Sequence, residues 1–235
     1  MNGARIYFTI PILGGIDITE TIIGSWVIVA LLGVAFFVLG RNLKIRPEGK
    51  RQLAAEKLVG MLNDLIDDTM GTGMRRFAPY IGALFCFSLF NNLSSLVGAK
   101  PATSDLSVTL AMALATTCIV YYNGFKKNGV LGHLKGTFLE PVPFIAPLNL
   151  VSELATPVSM AFRHYGNIAS GGVITSLIYT ALASASTAIL DIGIPFLQVG
   201  LPAVLSIYFD LFTGFLQAYI FCMLTMVFTS NAVND

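Results

Sequence analysis

From Thr21 to Gly40 the chain carries no charged side chain. A helix of about twenty such residues crosses the hydrocarbon core of a bilayer. The run lacks the apolar–polar alternation of a membrane barrel strand, and in lipid only helices and closed barrels satisfy their own backbones. The pattern returns from Phe77 to Gly98, from Leu106 to Phe125, and in two longer segments toward the C-terminus. The expected fold is therefore an all-α integral membrane protein. Composition agrees: charged residues make up 11% of the chain, against about 25% in soluble domains, and mean hydropathy is +0.75. A net charge of +1 gives no basis for binding nucleic acid. Cys86, Cys118 and Cys222 stand apart in apolar runs and are expected to be small core residues rather than ligands or a disulfide framework.

In order, the chain is expected to form one membrane domain over residues 1–235 with five crossings. Residues 1–17 are a short extramembrane lead-in without the basic and cleavable apolar regions of a signal peptide. The first span covers 19–40. Arg41, Lys44, Arg46, Lys50 and Arg51 follow it as the densest basic cluster, which the positive-inside rule assigns to the cytoplasm, with the N-terminus outside. Residues 47–70 form an amphipathic surface helix. Pro47 opens it, and Leu53, Leu58, Met61, Leu62, Leu65 and Ile66 recur at helical spacing. The second span covers 77–98, and Asn91 and Asn92 near its outer end are expected to face protein. The third covers 105–125, and a loop carrying Lys126, Lys127 and Lys135 leads to Pro143. Segments 147–190 and 194–233 each exceed a perpendicular span, so either strong tilt or a break near 180–190 is expected. Asp191, Gly193 and Pro195 mark the turn between them, and the C-terminus is cytoplasmic.

Those last two segments hold the chemistry. Arg163 lies between Glu153 and Asp191, with no other charged residue in the interval. A guanidinium does not shed its proton, and at the bilayer centre it costs roughly 3 kcal/mol or more. The bland alternative is that Arg163 snorkels to an interface or closes a structural ion pair. Positions three or four apart share a helix face, so Arg163, Asn167 and Gly171 form one stripe and Asp210, Gly214 and Gln217 another. If the helices are antiparallel with Arg163 against Gln217, Asn167 meets Gly214 and Gly171 meets Asp210. An acid then lies on each side of the arginine: Asp210 outward, Glu153 toward the cytoplasm. Two separated acids with a fixed cation between them fit two ion half-pathways. Each residue keeps a plainer reading. Asp210 pairs with Arg163, Gln217 bonds helix to helix, Glu153 caps a helix start, and His164, turned about 100° from Arg163, packs in protein. No second histidine stands at a spacing that would hold haem. An ion-coupled secondary transporter binding an anion at Arg163 would be expected to carry internal repeats or matched broken helices, and the sequence has neither.

At these residues the chain resembles subunit a of the F-type ATP synthase, the membrane stator beside the rotating c-ring. Pro157-Val-Ser-Met-Ala-Phe-Arg163-His-Tyr-Gly-Asn167 resembles the segment carrying that family's essential arginine. Leu216-Gln217-Ala-Tyr-Ile-Phe221 resembles its final-helix glutamine segment, and Pro101-Ala-Thr-Ser-Asp105 the start of the helix after its outer loop. Weaker similarity covers Asn149 to Glu153 and the amphipathic helix. The sequence departs at His164-Tyr165, where many members have Leu-Phe, at Gly172, where many have a carboxylate, and at Asp210, where many have another polar group. The resemblance implies a stator subunit translocating H⁺ or Na⁺ through two offset half-channels, without a catalytic site or cofactor of its own. Its implied partners are the c-ring, the peripheral-stalk subunit b and the lipid of a bacterial plasma membrane. Arg163, Gln217, Asn167, Asp210, Asp105 and Glu153 are the expected translocation residues. Asp210, Asn167 and Asp105 would serve the outer pathway and Glu153 the inner one, while Gln217 would hydrogen-bond Arg163.

Overall fold

The computed structural model describes residues 6–11, 16–45, 49–139, 144, 146–190 and 201–234. The lead-in contains two short antiparallel strands, β1 (Ile6–Ile10) and β2 (Ile16–Thr19). Ile-Tyr-Phe-Thr-Ile is rich in strand-favouring residues, a signal the sequence reading passed over. Thr9 Oγ1 donates to Asp17 Oδ1 across the pair at 2.6 Å.

Helix α1 (Glu20–Gly40) follows β2 directly. Trp26, Leu31, Val34 and Phe37 are all more than half exposed, an outer surface fit for lipid rather than water. Helix α2 (Lys50–Met70) starts beyond Pro47, which lies outside the described residues. Its apolar positions divide. Leu62, Leu65, Ile66 and Met70 enter the core, whereas Leu53, Leu58 and Met61 stay exposed. Gln52 clamps the preceding linker, accepting from Lys44 N and donating to Lys44 O.

A 3-10 turn over Arg75–Phe77 leads into α3 (Ala78–Leu93), and a second over Ser94–Val97 extends it. Helix α4 (Leu106–Leu139) departs from expectation, because the segment after Phe125 is helical rather than a loop. Nothing between Tyr121 and Asn128 removes a backbone donor. The first residue to leave helical geometry is Gly129, at φ 69°, a conformation that glycine adopts without a Cβ penalty. Residues 140–143, the end of the expected loop, lie outside the description.

Helix α5 (Ala146–Leu190) is continuous for 45 residues, with no break at 180–190. At 1.5 Å per residue it is about 68 Å long, so if it lies wholly within a core about 30 Å thick it tilts roughly 60° from the normal. Helix α6 (Leu201–Asn234) packs on α2, α3, α4 and α5. The expected turn at Asp191, Gly193 and Pro195 lies outside the described residues. Along α6 the buried face runs Gly214, Gln217, Ala218, Phe221, Cys222, Thr225, Met226, Thr229 and Ser230, at three-and-four spacing. Lipid gives apolar helices little reason to associate, so close approach and polar contacts count for more. Gly214, Ala218 and Cys222 supply small surfaces, while Thr116 Oγ1 meets Thr225 Oγ1 at 3.4 Å and Ser230 Oγ reaches Met70 O at 3.2 Å. Cys222 and half-buried Cys86 fit the core expectation, but Cys118 is exposed.

Six helices among the described residues, five of them long and apolar enough to cross a membrane, bear out the expected all-α membrane fold.

Candidate functional site

Helix α5 places Arg163 and His164 on different faces, as a step of about 100° per residue requires. Arg163 is exposed on the flank of the bundle and His164 is fully buried. Phe162 beside the arginine and Phe215 on α6 are also about half exposed. Arg163 has no ion pair among the described residues, so the expected alternative of pairing with Asp210 is not what the structure holds.

Gln217 is 2% exposed on α6. Asn167 Nδ2 donates to its Oε1 at 2.6 Å, joining α5 to α6. This is the helix-to-helix reading of Gln217. The pairing is displaced by one turn of α5 from the expected one, in which Arg163 met Gln217 and Asn167 met Gly214. The reason lies on α3. Asn92, itself 2% exposed, occupies the place beside Gly214. Its Nδ2 donates to Gly214 O at 2.8 Å and its Oδ1 accepts from Thr103 Oγ1 at 2.6 Å. A Cβ built on Gly214 would fall 3.1 Å from Asn92 Cβ, so glycine is what admits the amide. The expectation that Asn91 and Asn92 face protein agrees with their burial.

Two cavities flank this level. One, of about 770 Å³, is bounded by α4, α5 and the end of α6; Thr116, Asn128, Glu153, Thr156 and Asn231 supply its polar wall. Glu153 sits two turns inside α5, so it is no helix cap. The Tyr121 hydroxyl of α4 reaches its carboxylate. Pro157, on the same wall, has no N–H to offer the Glu153 carbonyl one turn back. The other cavity, of about 750 Å³, lies between the end of α3, the following loop, α5 and α6. Asp210, Asn167, Asn92, Ser95 and Lys100 line it. The Ser95 hydroxyl donates to Asn92 O at 2.9 Å and lies against the Asp210 carboxylate.

Among the described residues none lines both cavities. On α5 the first ends at Met160 and the second begins at Tyr165. On α6 the second ends at Gly214 and the first begins at Phe228. Arg163 and Gln217 fall within those two gaps. Gly171 and Gly172 share the second cavity with Asp210, as the sequence pairing anticipated.

Asp105 stands apart from the other expected residues. Its Oδ1 accepts from Ser107 N at 3.0 Å, as a helix N-cap does, and Thr21 Oγ1 donates to its Oδ2 at 3.3 Å. Its neighbour Ser104 lines the second cavity and Asp105 does not. Asn128, Ser95, Lys100 and Thr116 were missed as cavity residues. They are spread over α4, the 3-10 turn after α3 and the loop beyond it, and no local spacing links them.

Fold and geometry together define a multi-pass helical membrane protein with two separate cavities, each walled in part by polar side chains. The model of the ATP synthase A chain family matches residues 22–230, and the chain belongs to that family. It is 34% identical to the sodium ion specific ATP synthase subunit a of Propionigenium modestum, over 94% of this chain and 76% of that protein. It is 32% identical to ATP synthase subunit a of Moorella thermoacetica, over 94% of each. The subunit a of Listeria monocytogenes is 34% identical, over 89% of this chain and 88% of that one. The resemblance read at Arg163 and Gln217 thus holds along most of the chain, and the protein is an ATP synthase membrane subunit engaged in ion transport.

Proposed function

We propose that this subunit conducts H⁺ or Na⁺ through two half-channels beside a rotating c-ring, with Arg163 as the barrier between them. One observation carries the reading: among the described residues the two cavities share no lining residue, and a cationic residue lies in the interval between them. Arg75, which pairs with Asp67 in the last turns of α2, and Arg76 lie at the end of α2 where Met70 O accepts from Ser230 Oγ in the C-terminal turns of α6. By the positive-inside rule that end is cytoplasmic, making the Glu153 cavity the inner half-channel and the Asp210 cavity the outer one. The N-terminus then lies outside a bacterial plasma membrane and the C-terminus inside.

The exposed flank carrying Arg163, Phe162 and Phe215 suits an apolar helical partner such as the ring. A ring carboxylate facing lipid must be neutral or ion-bound, because its bare charge is too costly there. Beside Arg163 it meets a fixed cation, which favours the charged form and releases the ion. The ion leaves through one half-channel and the vacated site is loaded from the other. Arg163 also repels any ion slipping directly between the two. Asp210 and Asn167 serve the outer side, and Glu153 the inner. Gln217 acts through Asn167, fixing α5 against α6 at the level of the barrier. Asp105 shapes the outer mouth by capping α4. Each charge moved through 100 mV supplies roughly 2.3 kcal/mol, so one ATP needs several ions. The exposed apolar stretch of α2 suits peripheral-stalk subunit b.

The test is ATP-driven pumping in inverted vesicles with the native chain and with Arg163→Ala, with and without Na⁺. Abolished pumping in an intact complex is the expected result, and Na⁺ dependence of the native chain names the ion. Undiminished pumping in Arg163→Ala overturns the reading.

A further inference from the structure

His164 is fully buried, and the half-channel mechanism gives it no task. It continues the buried stripe Pro157, Met160, Ala161, His164 of α5, in which the other members are apolar. Its Nε2 lies 3.4 Å from Ser88 Oγ on α3, and Ser88 is also fully buried. Its ring stands edge-on to Phe221 of α6, with centroids 5.4 Å apart and planes at 88°. Helices α3 and α5 each pack on α6 rather than broadly on one another. The imidazole therefore reaches across the bundle and joins helices that otherwise meet little.

Its Nδ1 is buried and has no hydrogen-bond partner among the described residues. A buried polar atom left unpaired carries a standing cost, which an apolar side chain of similar size would avoid. Apolar packing holds a helix face in place, but a hydrogen bond and an edge-on ring contact also set its direction. The direction matters here because Arg163 is the preceding residue and Asn167 lies three positions on, on the face that meets Gln217. A turn of α5 about its axis would carry Arg163 away from the exposed flank and pull Asn167 from Gln217.

We propose that His164 is a positioning residue: through Ser88 and Phe221 it fixes the rotation of α5 and thereby the placement of Arg163. The inference rests on the function proposed above. The test uses the assembled complex in inverted vesicles with His164→Leu, His164→Gln, Ser88→Ala and Arg163→Ala. ATP-driven pumping is recorded across a pH series, with ATP hydrolysis and subunit content measured alongside. A misplacement of about 1 Å can cost about a hundredfold in a rate, so His164→Leu is expected to lose roughly tenfold or more. Its pH profile should also shift, because the ring carboxylate then meets a displaced cation. Glutamine presents an amide where Nε2 stood, so His164→Gln should restore the native profile. Ser88→Ala should shift the profile the same way by less, and should add nothing to His164→Leu.

A native rate and profile in His164→Leu overturn the proposal. So does a loss of pumping that leaves the profile unmoved and that glutamine fails to rescue, which marks His164 as packing alone. Should His164→Leu fail to assemble, Ser88→Ala and His164→Gln decide: a native profile in Ser88→Ala overturns the proposal, and a shifted one beside a native His164→Gln supports it. Full pumping in Arg163→Ala removes the function itself, leaving His164 nothing to position. A native His164→Leu beside a dead Arg163→Ala removes only this inference.

Discussion

The Asp210 and Glu153 cavities are alike in size and unlike in construction. The first is held by an amide clasp from a third helix: Asn92 grips Gly214 O and is itself held by Thr103. The second is walled mainly by α4, α5 and α6, with hydroxyls and small residues and with the Gly129 break in α4 close to its rim. Asp210 sits on α6 against a serine, and Glu153 on α5 against a tyrosine. Similar volumes can thus be built with a hydrogen-bonded clasp from α3 or from a wall of hydroxyls and small residues. The two should answer differently to mutation.

The largest difference is expected at the glycines. Gly214→Val drives a branched side chain into Asn92 at the clasp, and overpacking of this kind costs about 1–3 kcal/mol before the lost amide bond is counted. Loss of assembled complex on native gels is the expected outcome. Gly132→Ala in the other wall meets, among the described residues, only Asn128 Cβ at an ordinary 3.6 Å, and alanine favours the helix. It should assemble and pump as the native chain does. Equal tolerance at both sites would erase the distinction between clasp and wall.

Next come the acids. Asp210→Asn and Glu153→Gln should each slow ATP-driven pumping by about tenfold or more, if each carboxylate relays an ion. Removing the hydroxyl beside each, in Ser95→Ala and Tyr121→Phe, should cost roughly two- to tenfold, the worth of one hydrogen bond. Native pumping in Glu153→Gln would leave the inner cavity without its acid and sharpen the contrast into a one-acid scheme. The smallest effect is expected at Asp105→Ala. Loss of the cap should destabilise α4 by about 1 kcal/mol, read as a lower melting temperature in detergent, with the pumping rate unchanged. A tenfold loss of pumping there would return Asp105 to the outer pathway.

Much of this was legible in the chain because lipid is a strict solvent. Uncharged runs fix where helices lie, and Arg163, Asp210 and Gln217 are conspicuous for being polar within them. The extent of α4 was not legible, since Lys126 and Lys127 look like a loop, although helical geometry is first interrupted at Gly129 and the helix resumes to Leu139. The partner of Gln217 was not legible either. Two-helix spacing cannot reveal that Asn92 from a third helix already fills the notch at Gly214. The capping contact of Asp105 was hidden for a related reason, because it depends on the helix start at Leu106 and not on residue type alone. The cavities themselves arise from chain segments far apart in sequence, which no local periodicity joins.

The most direct measurement is sided accessibility. In a chain with its three native cysteines replaced, Thr213→Cys and Thr156→Cys would each be treated with a membrane-impermeant thiol reagent from either face of sealed vesicles. Thr213 lines the Asp210 cavity and Thr156 the Glu153 cavity. Two separate half-channels predict labelling of Thr213→Cys only from outside and of Thr156→Cys only from the cytoplasmic face. Labelling of either cysteine from both faces would mean one continuous path, and a barrier at Arg163 would be contradicted.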